Sequence, residues 1–264
     1  EVTGSETYFG GSYDKGEAHC HPLNYALGIA QAALLAHAKI YENSTVSSYE
    51  LSKSHVKVIT KLGSVKAERV VLACNGYLGN LEKRLNSKIL PMNNYIVATK
   101  PLDNETVAKI NPRDIAFADS RFVINYFRLS ADKRLLFGGG ENYSQELSNN
   151  IIPIVTKPLE KIYPFLKGVK IDYAWGGKLA ITMNRLPFYK EMNKGKVLSA
   201  QGYSGQGVAL ASYAGKVIAE KITGDGQTFD TMANIPMQSF PGGRFLRNPT
   251  MKVGMFYHAL LDRL

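Results

Sequence analysis

Residues 202–207, Gly-Tyr-Ser-Gly-Gln-Gly, place three glycines within six positions, directly ahead of the apolar run "VALASYAGKVIAE". Glycines this close together let a ligand approach the backbone, and the first turn of a following helix leaves its N–H groups without intrahelical partners. Three chemistries compete for such a turn. A serine-hydrolase elbow requires G-x-S-x-G, and the match from Gly202 fails at Gln206. A dinucleotide fingerprint requires G-x-G-x-x-G/A followed by a second strand. Here Leu210 stands at the third glycine position, and "TGDGQTFD" after the helix offers no strand. The third is a helix N-terminus aimed at the electron-rich edge of an aromatic cofactor such as a flavin. The bland alternative is a glycine-rich helix entry with no ligand at all.

Other residues invite chemistry with less support from their spacing. His19, Cys20 and His21, with His37, do not make a metal site without a second ligand cluster at zinc spacing, so no metal is expected. Tyr126, Arg128 and Trp175, the only Trp, fall on aromatic, strand-like stretches, where core packing accounts for each about as well as a substrate wall does.

The elements that must position these residues follow from periodicity. Apolar side chains at Leu23, Leu27, Ala30 and Leu34 have helical spacing behind Pro22, which suits a first turn, and the stretch Ala18–Ala38 predicts a turn followed by a buried helix. "HVKVITKLGSVKAERVVLACNG" predicts a hairpin turning at Leu62-Gly63-Ser64, then an apolar strand from Val70 to Ala73. From about Ile89 the texture changes to strand-like aromatic segments with one helix near 153–163. Near "GKVLSAQG" the chain returns to strand, glycine turn and helix. The pattern predicts a mixed α/β (α+β) fold in which an α/β layer is interleaved with a mainly antiparallel sheet.

The chain has 264 residues, 45% of them hydrophobic and 20% charged, enough for a substantial core. Its 32 Lys and Arg against 22 Asp and Glu give +10. The basic residues are spread singly, as in "KSHVKVITKLGSVKAERV", which reads as a solvated face; no nucleic-acid partner is expected. The longest uncharged stretch, Ala18–Ala38, is too polar to span a bilayer, so no membrane association is expected either. Two cysteines give no disulfide framework and point to a reducing compartment, the cytoplasm.

Six segments occur in order: "GGSYDKGEAHCHPLNYALGIAQAA", "ERVVLACNGYLGNL", "YFRLSADKRLLFGGG", "IDYAWGGKLAITMNRLPF", "SAQGYSGQGVALASYAGKVIAE" and "FPGGRFLRNPTMKVGMFYHALLDRL". Together they resemble the FAD-dependent amine and amino-acid oxidoreductases of the D-amino-acid oxidase superfamily, most closely the gamma-glutamylputrescine oxidase type. The resemblance runs along essentially the whole chain. It implies FAD as cofactor and a small amine as substrate. It also implies an N-terminal Rossmann segment, or a partner carrying one, for full FAD binding, because no G-x-G-x-x-G precedes "YFGG" here. The chain thus resembles the C-terminal three-fifths of such a protein. A truncated, non-catalytic binding module or split subunit is the rival expectation.

Carried over by position, Gly202, Ser204, Gly205, Gln206 and Gly207 resemble the loop along the flavin pyrimidine, and Val46 resembles the residue beside the adenine. Ala73 and Gly76 match the strand end that closes over the FAD phosphates, with Cys74 and Asn75 departing from the commoner small residues. The family's substrate pocket lies on the antiparallel sheet, which brings forward Tyr126, Arg128, Trp175 and Lys178. Amino-acid oxidases of this group usually hold the substrate carboxylate with an Arg shortly after W-x-G. Here Trp175-Gly176-Gly177-Lys178-Leu179 supplies only a Lys, which does not replace a bidentate fork, so an amine or amino-acylated amine is expected. No obligatory acid or base is singled out. The resemblance implies that residues 1–17 and 85–195 bind substrate, that 18–84 and 196–225 form a partial FAD-binding region, and that 226–264 form a C-terminal extension with a closing helix.

Overall fold

Pro22, whose fixed φ suits a first helical turn, opens α1 (Pro22–Leu35) in the computed structural model, which describes residues 3–121, 123–142 and 146–241. A three-stranded antiparallel meander follows, β1 (Val46–Leu51), β2 (Val56–Thr60) and β3 (Ser64–Ala67). Its hairpin closes where expected: Thr60 N–H donates to Gly63 O at 2.9 Å, and Gly63 N–H returns a bond to Thr60 Oγ1 at 3.2 Å. Next come β4 (Val70–Leu72), the short α2 (Lys83–Asn86), β5 (Leu90–Thr99) and α3 (Asn104–Ile110). The Asp103 carboxylate caps α3 by accepting from Thr106 N–H at 2.8 Å. Strands β6 (Phe117–Ala118), β7 (Tyr126–Leu129) and β8 (Leu135–Asn142) precede α4 (Ile152–Ile162). The chain continues through β9 (Ile171–Ile181), β10 (Phe188–Met192), β11 (Val197–Gln201), α5 (Gly207–Thr223) and α6 (Gln227–Ala233).

The described residues divide into two units, one within Glu1–Gly28 and Asn93–Gly177, the other within Ile29–Met92 and 178–241. The first is built on a five-stranded sheet ordered β6-β7-β8-β5-β9. Strand alternation sends Phe127, Leu129, Leu135, Phe137, Tyr95 and Val97 to one face, where they bury against Val155, Leu159 and Ile162 of α4. Phe127 stacks on Phe137 at 5.4 Å between ring centres and meets Tyr163 edge-on at 5.6 Å.

The second unit holds the meander and a three-stranded sheet ordered β10-β11-β4. β11 runs antiparallel to β10 and parallel to β4, with Val197 opposite Val70 and Ser199 opposite Leu72. All five β11 residues are buried because both faces are covered. Leu198 and Ala200 pack with Ala214, Val217 and Ile218 of α5 and Phe229 of α6, while Val197 joins Leu72, Ile89, Ala180 and Phe188. The mixed class and the return of the chain to its first layer therefore stand as the sequence predicts.

One expectation changes, and one lies beyond the described residues. Helix α1 exists, but none of its residues is buried, against the expected buried helix. Its apolar residues Leu23, Tyr25, Leu27, Ile29 and Leu34 are all exposed: Leu23, Leu27 and Leu34 share one helix face as their spacing predicts, but no described residue buries that face. In the C-terminal extension the structure shows α6, whereas the closing helix expected toward residue 264 lies outside the described residues.

Candidate cofactor turn and substrate face

The carboxyl ends of the parallel strands β4 and β11 come together just ahead of α5, the place where open α/β sheets bind ligands. Asn75, with φ +47°, leaves β4 and accepts a 3.0 Å hydrogen bond at its side-chain Oδ1 from Gly202 N–H. The glycine turn then uses left-handed backbone at Gly202 (φ +75°), Ser204 (φ +52°) and Gly205 (φ +99°).

Half of this turn faces inward. A Cβ at Gly202 would stand 2.5 Å from Thr182 Cγ2. Ser204 N–H donates to Ala180 O at 2.9 Å, and its hydroxyl lies 3.3 Å from both the N–H and Oγ1 of Thr182. Gly202 and Ser204 thus fasten the turn to β9. Gly205 and Gln206 face outward: both are exposed, and a Cβ at Gly205 would meet no heavy atom within 4 Å. Gln206 occupies the N-cap position of α5 without a side-chain capping bond, and Val208 is 54% exposed, so the first-turn amides of a 17-residue helix are uncapped.

Beside the turn runs an apolar groove of ≈ 480 Å³, lined on the strand side by Val71, Ala73 and Asn75 and on the helix side by Gly207, Ala211 and Gly215. Its donor set is backbone N–H at the positive end of a helix, opening onto space that only glycine leaves free. That chemistry fits the negative charge of a reduced flavin ring or a phosphate. Burial pushes the Cys74 thiol up, so it stays protonated, and burial likewise pushes the Tyr203 hydroxyl up to about 12, where it donates to Ala200 O at 3.0 Å.

The remaining cofactor candidates divide. Ala73 is exposed on the groove. Gly76 is buried, and a Cβ there would stand 2.6 Å from Lys178 O, so close approach to β9 accounts for the glycine. Val46 is the exposed first residue of β1, paired with Thr60 in the meander.

In the other unit, Tyr126 and Arg128 alternate with the buried Phe127 and Leu129, so they occupy the sheet face away from the α4 core. A Cβ at Gly176 would run into the Tyr95 ring on the core side, which directs the neighbouring Trp175, 43% exposed, to that same outer face. The Tyr126 hydroxyl donates to Asn94 Oδ1, and its ring lies over Gly138, where any Cβ would overlap it. The Arg128 guanidinium is engaged by main-chain oxygens, 3.1 Å to Leu129 O and 2.8 Å to Cys20 O. Lys178 belongs to the unit of the glycine turn; it is half-buried, and its N–H donates to Tyr77 Oη at 3.1 Å.

Sequence reasoning missed the contacts made by Asn75, Thr182, Asn94 and Gly138. Of these only Asn75 carried a local signal, an Asn at a strand end where left-handed backbone is tolerated. His19 meets the main-chain oxygen of Asp114 at 2.9 Å. Among the described residues no helix is long and apolar enough to cross a membrane, and Cys20 and Cys74 are free thiols.

The profile of the family described as FAD dependent oxidoreductase matches residues 1–221. The chain is 39% identical over 260 residues to a probable oxidoreductase OrdL of Rhizobium meliloti (strain 1021), covering 98% of this chain and 60% of that protein. It is 38% identical over 261 residues to the gamma-glutamylputrescine oxidoreductase of Escherichia coli (strain K12), covering 98% and 61%. The chain therefore spans about three-fifths of the length of these curated relatives. Among solved structures, glycine oxidase from Bacillus cereus ATCC 14579 superposes with a TM-score of 0.64 at 20% identity, covering 80% of this chain and 58% of that one. L-Proline dehydrogenase from P. horikoshii gives 0.63 at 23%, covering 81% and 57%. The chain belongs to the FAD-dependent oxidoreductase family.

Proposed function

We propose that this chain carries the flavin-side turn and the substrate sheet of an FAD-dependent enzyme that oxidises an amine, of which gamma-glutamylputrescine or a related amino compound is the model. The observation that carries the reading is the uncapped N-terminus of α5 behind the open Gly205, at the carboxyl ends of β4 and β11. When bound, FAD supplies the redox chemistry, accepting a hydride from the carbon beside a neutral amine to leave an imine that water hydrolyses. The chain's own share is binding and electrostatics. The N–H groups of Gly205, Gly207 and the rest of the first turn of α5 would stabilise negative charge on the bound flavin, while Gln206 N–H is spent inside the turn on Tyr203 O at 2.9 Å. The apolar groove keeps water from the contact.

Residues 18–84 and 196–225 serve the cofactor in this reading, and 1–17 and 85–195 the substrate, with Tyr126, Trp175 and Lys178 on the substrate side. Arg128 is already engaged by main-chain oxygens, and Lys178 instead of an Arg stands shortly after Trp175-Gly176, which favours an amine over a free α-amino acid. The E. coli relative's name supports the same substrate class. A glycine-rich strand-turn-helix, in the same protein or a partner, completes the grip on the ADP half, and the enzyme works in the cytoplasm.

The test is the variant Gly205→Val in the FAD-loaded protein, with Lys216→Arg as control. No heavy atom crowds the Gly205 Cβ, so the substitution acts on the backbone and on ligand space, while Lys216 is exposed on α5. Rapid mixing with an amine should show flavin bleaching slowed about 100- to 1,000-fold in Gly205→Val and unchanged in Lys216→Arg. Equal rates in the two variants would mean that the flavin lies elsewhere.

A further inference from the structure

We propose that Asn75 is a positioning residue for the flavin-side turn and that its side-chain N–H₂ is a donor on the ligand groove; this rests on the flavin reading above. The bond from Gly202 N–H to Asn75 Oδ1, 3.0 Å long, joins positions 127 residues apart. A backbone N–H can only donate, so Oδ1 must face Gly202, and the two N–H donors of Nδ2 must point the other way. Asn75 lines the groove together with Gly207 at the start of α5.

The base on which Asn75 sits is fixed. Tyr77 N–H donates to Cys74 O at 2.9 Å and Leu78 N–H to Asn75 O at 3.2 Å, closing a tight turn. Gly76 leans on the main chain of Lys178, and Lys178 N–H bonds Tyr77 Oη. The left-handed φ of +47° is one that Asn adopts more readily than most residues. One side chain therefore does two things from a rigid seat. It holds the first amide of the glycine turn, and it adds a neutral donor to the uncapped amides of α5 on the groove.

Two substitutions separate these roles. Asn75→Asp keeps an acceptor for Gly202 N–H but removes the donor and adds a negative charge. Asn75→Ala removes both. The measurements are FAD affinity by fluorescence titration of the FAD-stripped protein, the reduction potential of the bound flavin by spectroelectrochemistry, and the thermal midpoint of the FAD-free protein. Asn75→Ala should weaken FAD binding about tenfold and lower the thermal midpoint. Asn75→Asp should keep a near wild-type midpoint, bind FAD no better than the Ala variant, and shift the flavin potential downward. If Asn75→Asp restores affinity and potential as well as stability, the donor role is wrong. If wild type binds FAD and both variants match it, the inference falls while the flavin reading stands. If wild type binds no FAD even with the strand-turn-helix for the ADP half present, the flavin reading fails and takes this inference with it.

Discussion

Replacing Gly202 with Ala tests whether the glycine turn is locked to β9 by packing. At φ +75° the added Cβ meets the left-handed penalty, about 1–2 kcal/mol. The same atom would stand 2.5 Å from Thr182 Cγ2 and 3.4 Å from Ile89 Cγ2, an overpacking worth about 1–3 kcal/mol. Gly202→Ala should thus cost about 2–5 kcal/mol. Thr182→Ser removes the clashing methyl and keeps Oγ1, which donates to Leu186 O at 2.8 Å and meets Ser204 Oγ at 3.3 Å. Alone it should cost about 1 kcal/mol for a lost buried methyl. In the double variant the alanine methyl takes the vacated space. The pair should therefore lose less than the sum of the single changes, by about 1–3 kcal/mol, leaving mainly the φ penalty. Urea unfolding of the four proteins, followed by circular dichroism, measures the cycle. Additivity within about 0.5 kcal/mol, or a neutral Gly202→Ala, would refute the reasoning.

Gly76→Ala should be harsher and beyond side-chain rescue, because its Cβ would stand 2.6 Å from Lys178 O and 2.9 Å from Leu179 O, both backbone atoms; soluble yield and thermal midpoint report it. Tyr203→Phe addresses pH. Burial lifts the Tyr203 hydroxyl from its ordinary value to about 12, so the folded state holds the proton more tightly than the unfolded one. The resulting stability is full below about 10 and is lost as pH rises toward about 12. The variant should lose about 1 kcal/mol at neutral pH with the bond to Ala200 O. It should also show a shallower alkaline limb in a stability–pH titration, part of which persists because burial also raises Tyr8, Tyr49 and Tyr163.

Elements with local signals were legible in the sequence. Pro22, the Gly63 turn, the apolar Val70–Leu72 run and the helix near 153–163 all sit where short-range pattern puts them, because capping, turn chemistry and alternation act over a few residues. The turn at 202–207 was legible as a place but not in its orientation. Which of its residues look outward depends on Thr182 and Ala180, some twenty residues away, so Gly202 and Ser204 read the same as Gly205 in one dimension. Gly76 misleads in the same way, since the carbonyls that require it belong to β9. Arg128 shows the converse: an arginine on an open sheet face invites a substrate anion, yet Cys20 O, 108 residues away in sequence, engages it.

The parallel pairing of β4 with β11 also sets a clock. The Ser199 hydroxyl that bonds Leu72 O lies 127 residues further along the chain. At a synthesis rate of about 5–20 residues per second, the partner strand follows β4 by roughly 6–25 s. The meander of β1, β2 and β3 closes through neighbouring hairpins and can form as it is made. Val70, Val71 and Leu72, by contrast, wait through that interval with the strand edge that β11 later covers open to any other nascent chain. The weak moment in the life of this protein therefore falls on the ribosome, between the making of β4 and the arrival of β11, long before the groove they flank exists.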